Sequence, residues 1–161
     1  MTEGFRVPIG LRLNQVARTV GRAFDDALVE AGGSLPIWLI LLNLKIRKPS
    51  NQRELAEAVG VREATLTHHL NALDARGLVT RTRDADNRRI HVVELTEAGE
   101  AAFARLAQAA AAFDARLRAG LEDADLDRLG ELLVRLAANV GGAEGDGAPP
   151  WAGLAEQGGP G

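Results

Sequence analysis

The sequence predicts a mainly α chain (α+β), with six helices and a single two-stranded β-hairpin. Three observations carry that reading. Apolar residues recur at spacings of three and four along most of the chain, the mark of amphipathic helices. Glycines stand where those periodic stretches stop, at Gly32-Gly33, Gly60 and Gly77. One segment breaks the pattern: Leu78 to Arg83 and Ile90 to Leu95 are rich in β-branched residues and flank the turn-forming Asp84-Ala85-Asp86-Asn87.

The first helix is expected from Pro8 to Ala31, with Ile9, Leu13, Val16, Val20, Phe24, Ala27 and Leu28 on its apolar face. Ser34 then has the character of a cap for a second helix, which tolerates Pro36 in its first turn. That helix, with Leu35, Ile37, Trp38, Leu39, Ile40, Leu41, Leu42 and Leu44, is apolar on nearly every side and must be enclosed by others. Lys45, Arg47 and Lys48 suit the negative end of its dipole and could also reach phosphate.

Pro49-Ser50-Asn51 interrupts the chain, and Asn51 with Glu54 has the form of a capping box for a short helix from Gln52 to Val59. Gly60 supplies a left-handed residue, Val61 returns to the core, and a fourth helix runs from Arg62 to Arg76. Its stripe of Leu66, Leu70 and Leu73 leaves Arg62, Thr65, Thr67, His68, His69 and Asn71 partly or wholly off the buried side. The hairpin follows from Leu78 to Leu95 and carries Arg81, Arg83, Arg88 and Arg89. Beyond it an alanine-rich helix from Glu100 to Leu121 bears Phe103, Leu106, Ala110, Phe113 and Leu117. The last helix, Asp123 to Val140, bears Leu126, Leu129, Leu133 and Leu136.

A helix of small hydrogen-bonding side chains beside a hairpin of guanidinium groups is suited to nucleic acid. The polar side chains match base edges, and arginine holds phosphate or enters the minor groove. The net charge of −3 conceals the distribution this requires. Residues 1–44 balance at zero, 45–94 carry +3 and 95–161 carry −6. Positive charge is therefore concentrated in the candidate reading segment.

The "Glu-Leu-Ala" of the third helix, "Leu-Asn-Ala-Leu-Asp-Ala-Arg-Gly-Leu-Val" and "Asp-Asn-Arg-Arg-Ile-His-Val-Val-Glu-Leu-Thr-Glu-Ala-Gly" resemble the MarR family of winged-helix transcription regulators. The resemblance spans roughly Pro8 to Val140. It implies a winged helix, a two-fold dimer, a pseudo-palindromic DNA operator and repression by occlusion. Placing the family's wing signature, Asp-x-Arg, five residues, Leu-Thr, on Leu95-Thr96 puts its arginine on Arg89 and leaves Asn87 where the family has aspartate. Arg62 stands where a Ser or Thr cap is usual, which suggests that its cation is kept for phosphate.

The resulting division is an N-terminal dimerisation helix at 1–34, a winged helix-turn-helix at 35–99, C-terminal dimerisation helices at 100–140 and a disordered tail at 141–161 that includes Trp151. The leucine stripes at both ends exceed what an isolated monomer can bury, so the partners expected are double-stranded DNA and a second copy. The resemblance adds a small aromatic or phenolic anion as effector, with Trp38 as an aromatic wall and Arg12 or Arg18 as its cation.

No cysteine and no tyrosine are present, and Ser34 and Ser50 are the only serines, so the inventory for nucleophilic catalysis is poor and no enzyme is expected. His68 and His69 point about 100° apart on a helix and cannot chelate together, and neither a metal nor a cofactor is expected. The longest apolar run, Ile37 to Leu42, is too short to span a bilayer. Met1 to Gly10 lacks a leader's apolar core, so a cytoplasmic chain without membrane contact is expected. The competing reading is a winged-helix protein-interaction module without DNA readout, which would show a neutral or apolar outer face from Arg62 to Asn71.

Overall fold

A computed structural model describes residues 7–49, 51–83 and 91–141. Its elements are α1 (Ile9–Glu30), α2 (Leu35–Ile46), α3 (Gln52–Val59), α4 (Glu63–Ala75), β1 (Val79–Arg83), β2 (His91–Leu95), α5 (Glu97–Leu117) and α6 (Asp123–Asn139). The fold is the mainly α winged helix expected. The turn Asp84 to Asn87, Arg88, Arg89 and the tail from 142 onward, with Trp151, lie outside the described residues.

The α3–α4 unit forms for local reasons. Asn51 accepts a hydrogen bond from the Glu54 amide at 2.9 Å, capping α3. Gly60 then turns the chain at φ +76, a conformation an L side chain resists, and Gly77 repeats this at φ +68 after α4. Ser34 behaves differently from the expectation. It occupies the N-cap position of α2 but makes no side-chain cap; instead Asp25 of α1 accepts the Leu35 amide at 3.1 Å. The carboxylate reaches this amide from ten residues away, which ties α1 to the start of α2.

α2 is enclosed, as its composition requires. Ile40, Leu41 and Leu44 share one core with Leu28 of α1, Leu55, Ala56 and Val59 of α3, Leu66, Leu70 and Leu73 of α4, Leu78 and Val79 at β1, Val93 of β2, and Ala102 and Leu106 of α5. Asn43 is buried in this setting and satisfies its amide by donating to the Leu39 carbonyl at 2.8 Å. The strands are antiparallel, with Val79 opposite Leu95 and Arg83 opposite His91.

α5 begins at Glu97, three residues before the expected start, because Thr96 caps it by accepting from the Gly99 amide at 3.0 Å. It ends at Leu117 rather than Leu121; Gly120 turns at φ +80, and α6 starts after Glu122, whose amide donates to Asp125 at 3.0 Å. α1 lies on α5 through Phe24 and Phe113, with ring centroids 5.0 Å apart. The N-terminal half of α1 and most of α6 are bare. Ile9 and Leu11 are 62% and 64% exposed, Val134 is 69% exposed, and α6 buries no residue within the protomer.

Candidate nucleic-acid interface

α4 buries Leu66, Leu70 and Leu73 and turns its opposite side to solvent. Arg62, Thr65, Thr67, His68 and Asn71 are exposed there, and His69 is half-buried. Arg62 is the N-cap residue in extended backbone and provides no side-chain cap, so its guanidinium is not spent on its own helix end. The rings of His68 and His69 meet edge to face, with centroids 5.9 Å apart. Thr67 donates its hydroxyl proton to the Glu63 carbonyl at 2.9 Å.

Of the wing arginines, Arg83 closes β1 and is exposed, whereas Arg88 and Arg89 lie outside the described residues. Arg81 has a task that sequence reasoning did not anticipate. Its Nη2 donates to Asn71 Oδ1 at 2.8 Å and to Asp74 Oδ2 at 3.0 Å, and only 22% of its side chain is exposed. It therefore sits at the base of the wing, fastened to α4. Asp74 was not singled out from sequence, although Asn71 and Asp74 are three apart on one helix face and so could share a partner.

Two further contacts fix α4 to the flanking helices. Arg76, at its C-cap, donates to the Gly32 carbonyl at 3.2 Å. The Thr96 hydroxyl, while capping α5, also donates to the Gly77 carbonyl at 2.6 Å. Beside it Gly99 is closely covered, and a Cβ there would collide with the Leu78 carbonyl oxygen. The signal for this contact was the "Leu-Thr-Glu-Ala-Gly" run, which required the pairing of β1 with β2 before it could be interpreted.

The effector candidates are dispersed. Trp38 stacks on Phe103 with centroids 5.6 Å apart and planes 12° from parallel, packed against the core. Arg12 lines a recess of about 590 Å³ with Val7, Pro8 and Ile9, and Arg18 is exposed on α1. No described contact joins Trp38 to either arginine. A larger cleft of about 650 Å³ lies between the end of α2, β2 and the first turn of α5, and its walls include Lys48 and Pro49. Lys45 borders it but is held by Glu100 at 2.7 Å, so of the cations closing α2 it is already paired within the protomer.

The MarR family model matches residues 34–91, which run from the cap of α2 to the start of β2. A probable transcriptional regulator from Pseudomonas aeruginosa is 30% identical, superposes with a TM-score of 0.68, and is matched over 80% of this chain and 96% of its own. This chain belongs to the MarR family. The transcriptional repressor CouR, solved bound to a 23-mer DNA duplex, is 29% identical with a TM-score of 0.72, over 81% of this chain and 92% of that one. CouR from Rhodococcus jostii RHA1, solved bound to p-coumaroyl-CoA, is 25% identical with a TM-score of 0.66, over 84% and 96%. The likeness to these MarR-family structures thus extends beyond the winged core to the terminal helices. No single helix among the described residues is long and apolar enough to cross a membrane.

Proposed function

We propose that this MarR-family chain is a non-enzymatic, cytoplasmic transcription regulator that binds a pseudo-palindromic DNA operator as a homodimer and represses by occlusion. The observation that carries the reading is the outer side of α4. Arg62, Thr65, Thr67, His68 and Asn71 form an exposed polar and basic surface, with His69 partly covered beside them, in a fold shared with a repressor solved on duplex DNA. Such a helix enters the major groove with its N-terminal part toward base edges. Arg83, Arg88 and Arg89 hold the phosphate backbone and minor groove, while Arg81 braces the wing that carries them. The domain limits expected from sequence serve this arrangement, with α1, α5 and α6 pairing two copies so that two α4 helices meet successive major grooves.

A small aromatic anion is the effector this reading favours, supported by the p-coumaroyl-CoA complex of CouR. Trp38, with Arg12 or Arg18, remains the set proposed for it. Ligand acts by binding the DNA-competent and incompetent dimers unequally. Fluorescence anisotropy with the chain's own upstream intergenic DNA, over a salt series, tests the regulator. Tight, salt-steep binding at one dimer per palindrome is expected, with release by salicylate or p-coumaroyl-CoA. Binding no tighter than to random DNA overturns autoregulation at that site, and binding indifferent to both ligands overturns the aromatic-anion reading.

A further inference from the structure

The hydrogen bonds on the outer side of α4 restrict what two of its side chains can read. Thr67 and Asn71 are four residues apart and share a face. Thr67 has already given its proton to the Glu63 carbonyl, so toward a ligand it offers only oxygen lone pairs and a methyl group. Asn71 is in the opposite condition. Its Oδ1 is held by the Arg81 guanidinium at 2.8 Å, and the same Nη2 is anchored by Asp74 at 3.0 Å. A cationic donor so close admits only the oxygen of the amide, which settles the amide's orientation and leaves Nδ2 as the outward atom.

We infer that Arg81 is a positioning residue that orients the Asn71 amide so that it reads the major groove chiefly as a donor, through Nδ2, paired one helical turn away with Thr67 as an acceptor. This rests on the DNA-binding function proposed above and adds what that surface distinguishes. A two-bond adenine contact by asparagine needs Oδ1 and Nδ2 on the same edge facing the base. Arg81 occupies one of the two Oδ1 lone pairs and fixes the rotamer of the amide, so the two-bond contact competes with the tie to the wing and Nδ2 is the leading reader. Asn71 then donates to a single acceptor, guanine O6 or N7, thymine O4 or adenine N7, with no added preference for adenine, and disfavours cytosine, which offers only a donor there. Thr67 prefers the amino groups of adenine or cytosine, or packs its methyl on that of thymine.

Selection of bound duplexes from a randomised pool, with wild type, Arg81→Met and Asn71→Asp, tests this, with thermal unfolding confirming that each protein is folded. Arg81→Met frees the amide, and one base pair per half-site is expected to shift toward adenine by roughly tenfold. Asn71→Asp keeps the tie to Arg81 but replaces donors by acceptors, and the same position is expected to shift toward cytosine; this arm stands if Arg81→Met fails to fold. A brace without influence on readout predicts that Arg81→Met recovers the wild-type sequences with uniformly weaker binding, and that result overturns the inference. An unchanged preference with Asn71→Asp overturns it equally. Enrichment of no sequence by wild type is a separate outcome, because it overturns the DNA-binding function itself and the inference with it.

Discussion

The Thr96 hydroxyl caps α5 through the Gly99 amide and holds the Gly77 carbonyl at the end of α4, and the chain tolerates this only because residue 99 has no side chain. Gly99→Ala forces a methyl into the Leu78 carbonyl, which is backbone and cannot rotate aside. A loss of about 2–3 kcal/mol is expected, measured by denaturant unfolding at fixed protomer concentration. Asn51→Ala removes the α3 cap and is expected to cost about 1 kcal/mol in the same assay. On DNA, Arg89→Ala is expected to weaken binding to all sequences alike and to reduce the slope of log affinity against log salt by about one, whereas Thr67→Ala changes which sequences are preferred. Wild-type operator affinity for Arg89→Ala would show that the wing arginine makes no contact. Asn51 was legible because cap and amide are three residues apart. The failure of Ser34 as a cap was not, because its competitor, Asp25, arrives through the packing of α1. The engagement of Arg81 was hidden for the same reason, since its partners come into reach only when β1 lies on α4.

Among the elements, the helices were legible wherever start and stop signals are local, as at Asn51, Gly60 and Gly77. The ends of α5 were not, since Thr96 and Gly120 do not announce by pattern alone where the helix is capped. α6 presents the sharpest contrast between pattern and packing. Its leucine stripe reads as a buried face, yet Leu129 is 49% exposed and Leu126 and Leu136 are only half-buried. Val134→Asp together with Leu129→Asp is expected to leave helix content and the winged core intact, because no buried residue changes. The same pair is expected to convert the protein to a monomer in sedimentation velocity. A dimer that survives both charges would place the self-association surface elsewhere, on the bare N-terminal half of α1.

For the whole molecule, the proposed function makes DNA affinity follow dimerisation, because each α4 would contact one half-site and the second contact would come without further loss of translational freedom. The Leu129→Asp, Val134→Asp variant is therefore expected to lose at least 100-fold in operator affinity, on the order of the gain that linking two sites provides, while retaining weak salt-dependent binding to any duplex. The C-terminal end of α4 is fastened through Arg76 to the Gly32 carbonyl and through the Gly77 carbonyl to Thr96, and its other end carries Arg62 and Thr65. Thirteen helical residues separate those ends by about 20 Å. A rotation of the whole winged domain by about 10° about the fastened end would move Arg62 by about 3.5 Å, close to the rise of one base pair. On the proposed reading the winged domain would then act as a vernier, because turning it as one body, with its core intact, by so small an angle is enough to put the helix one step out of register with its half-site.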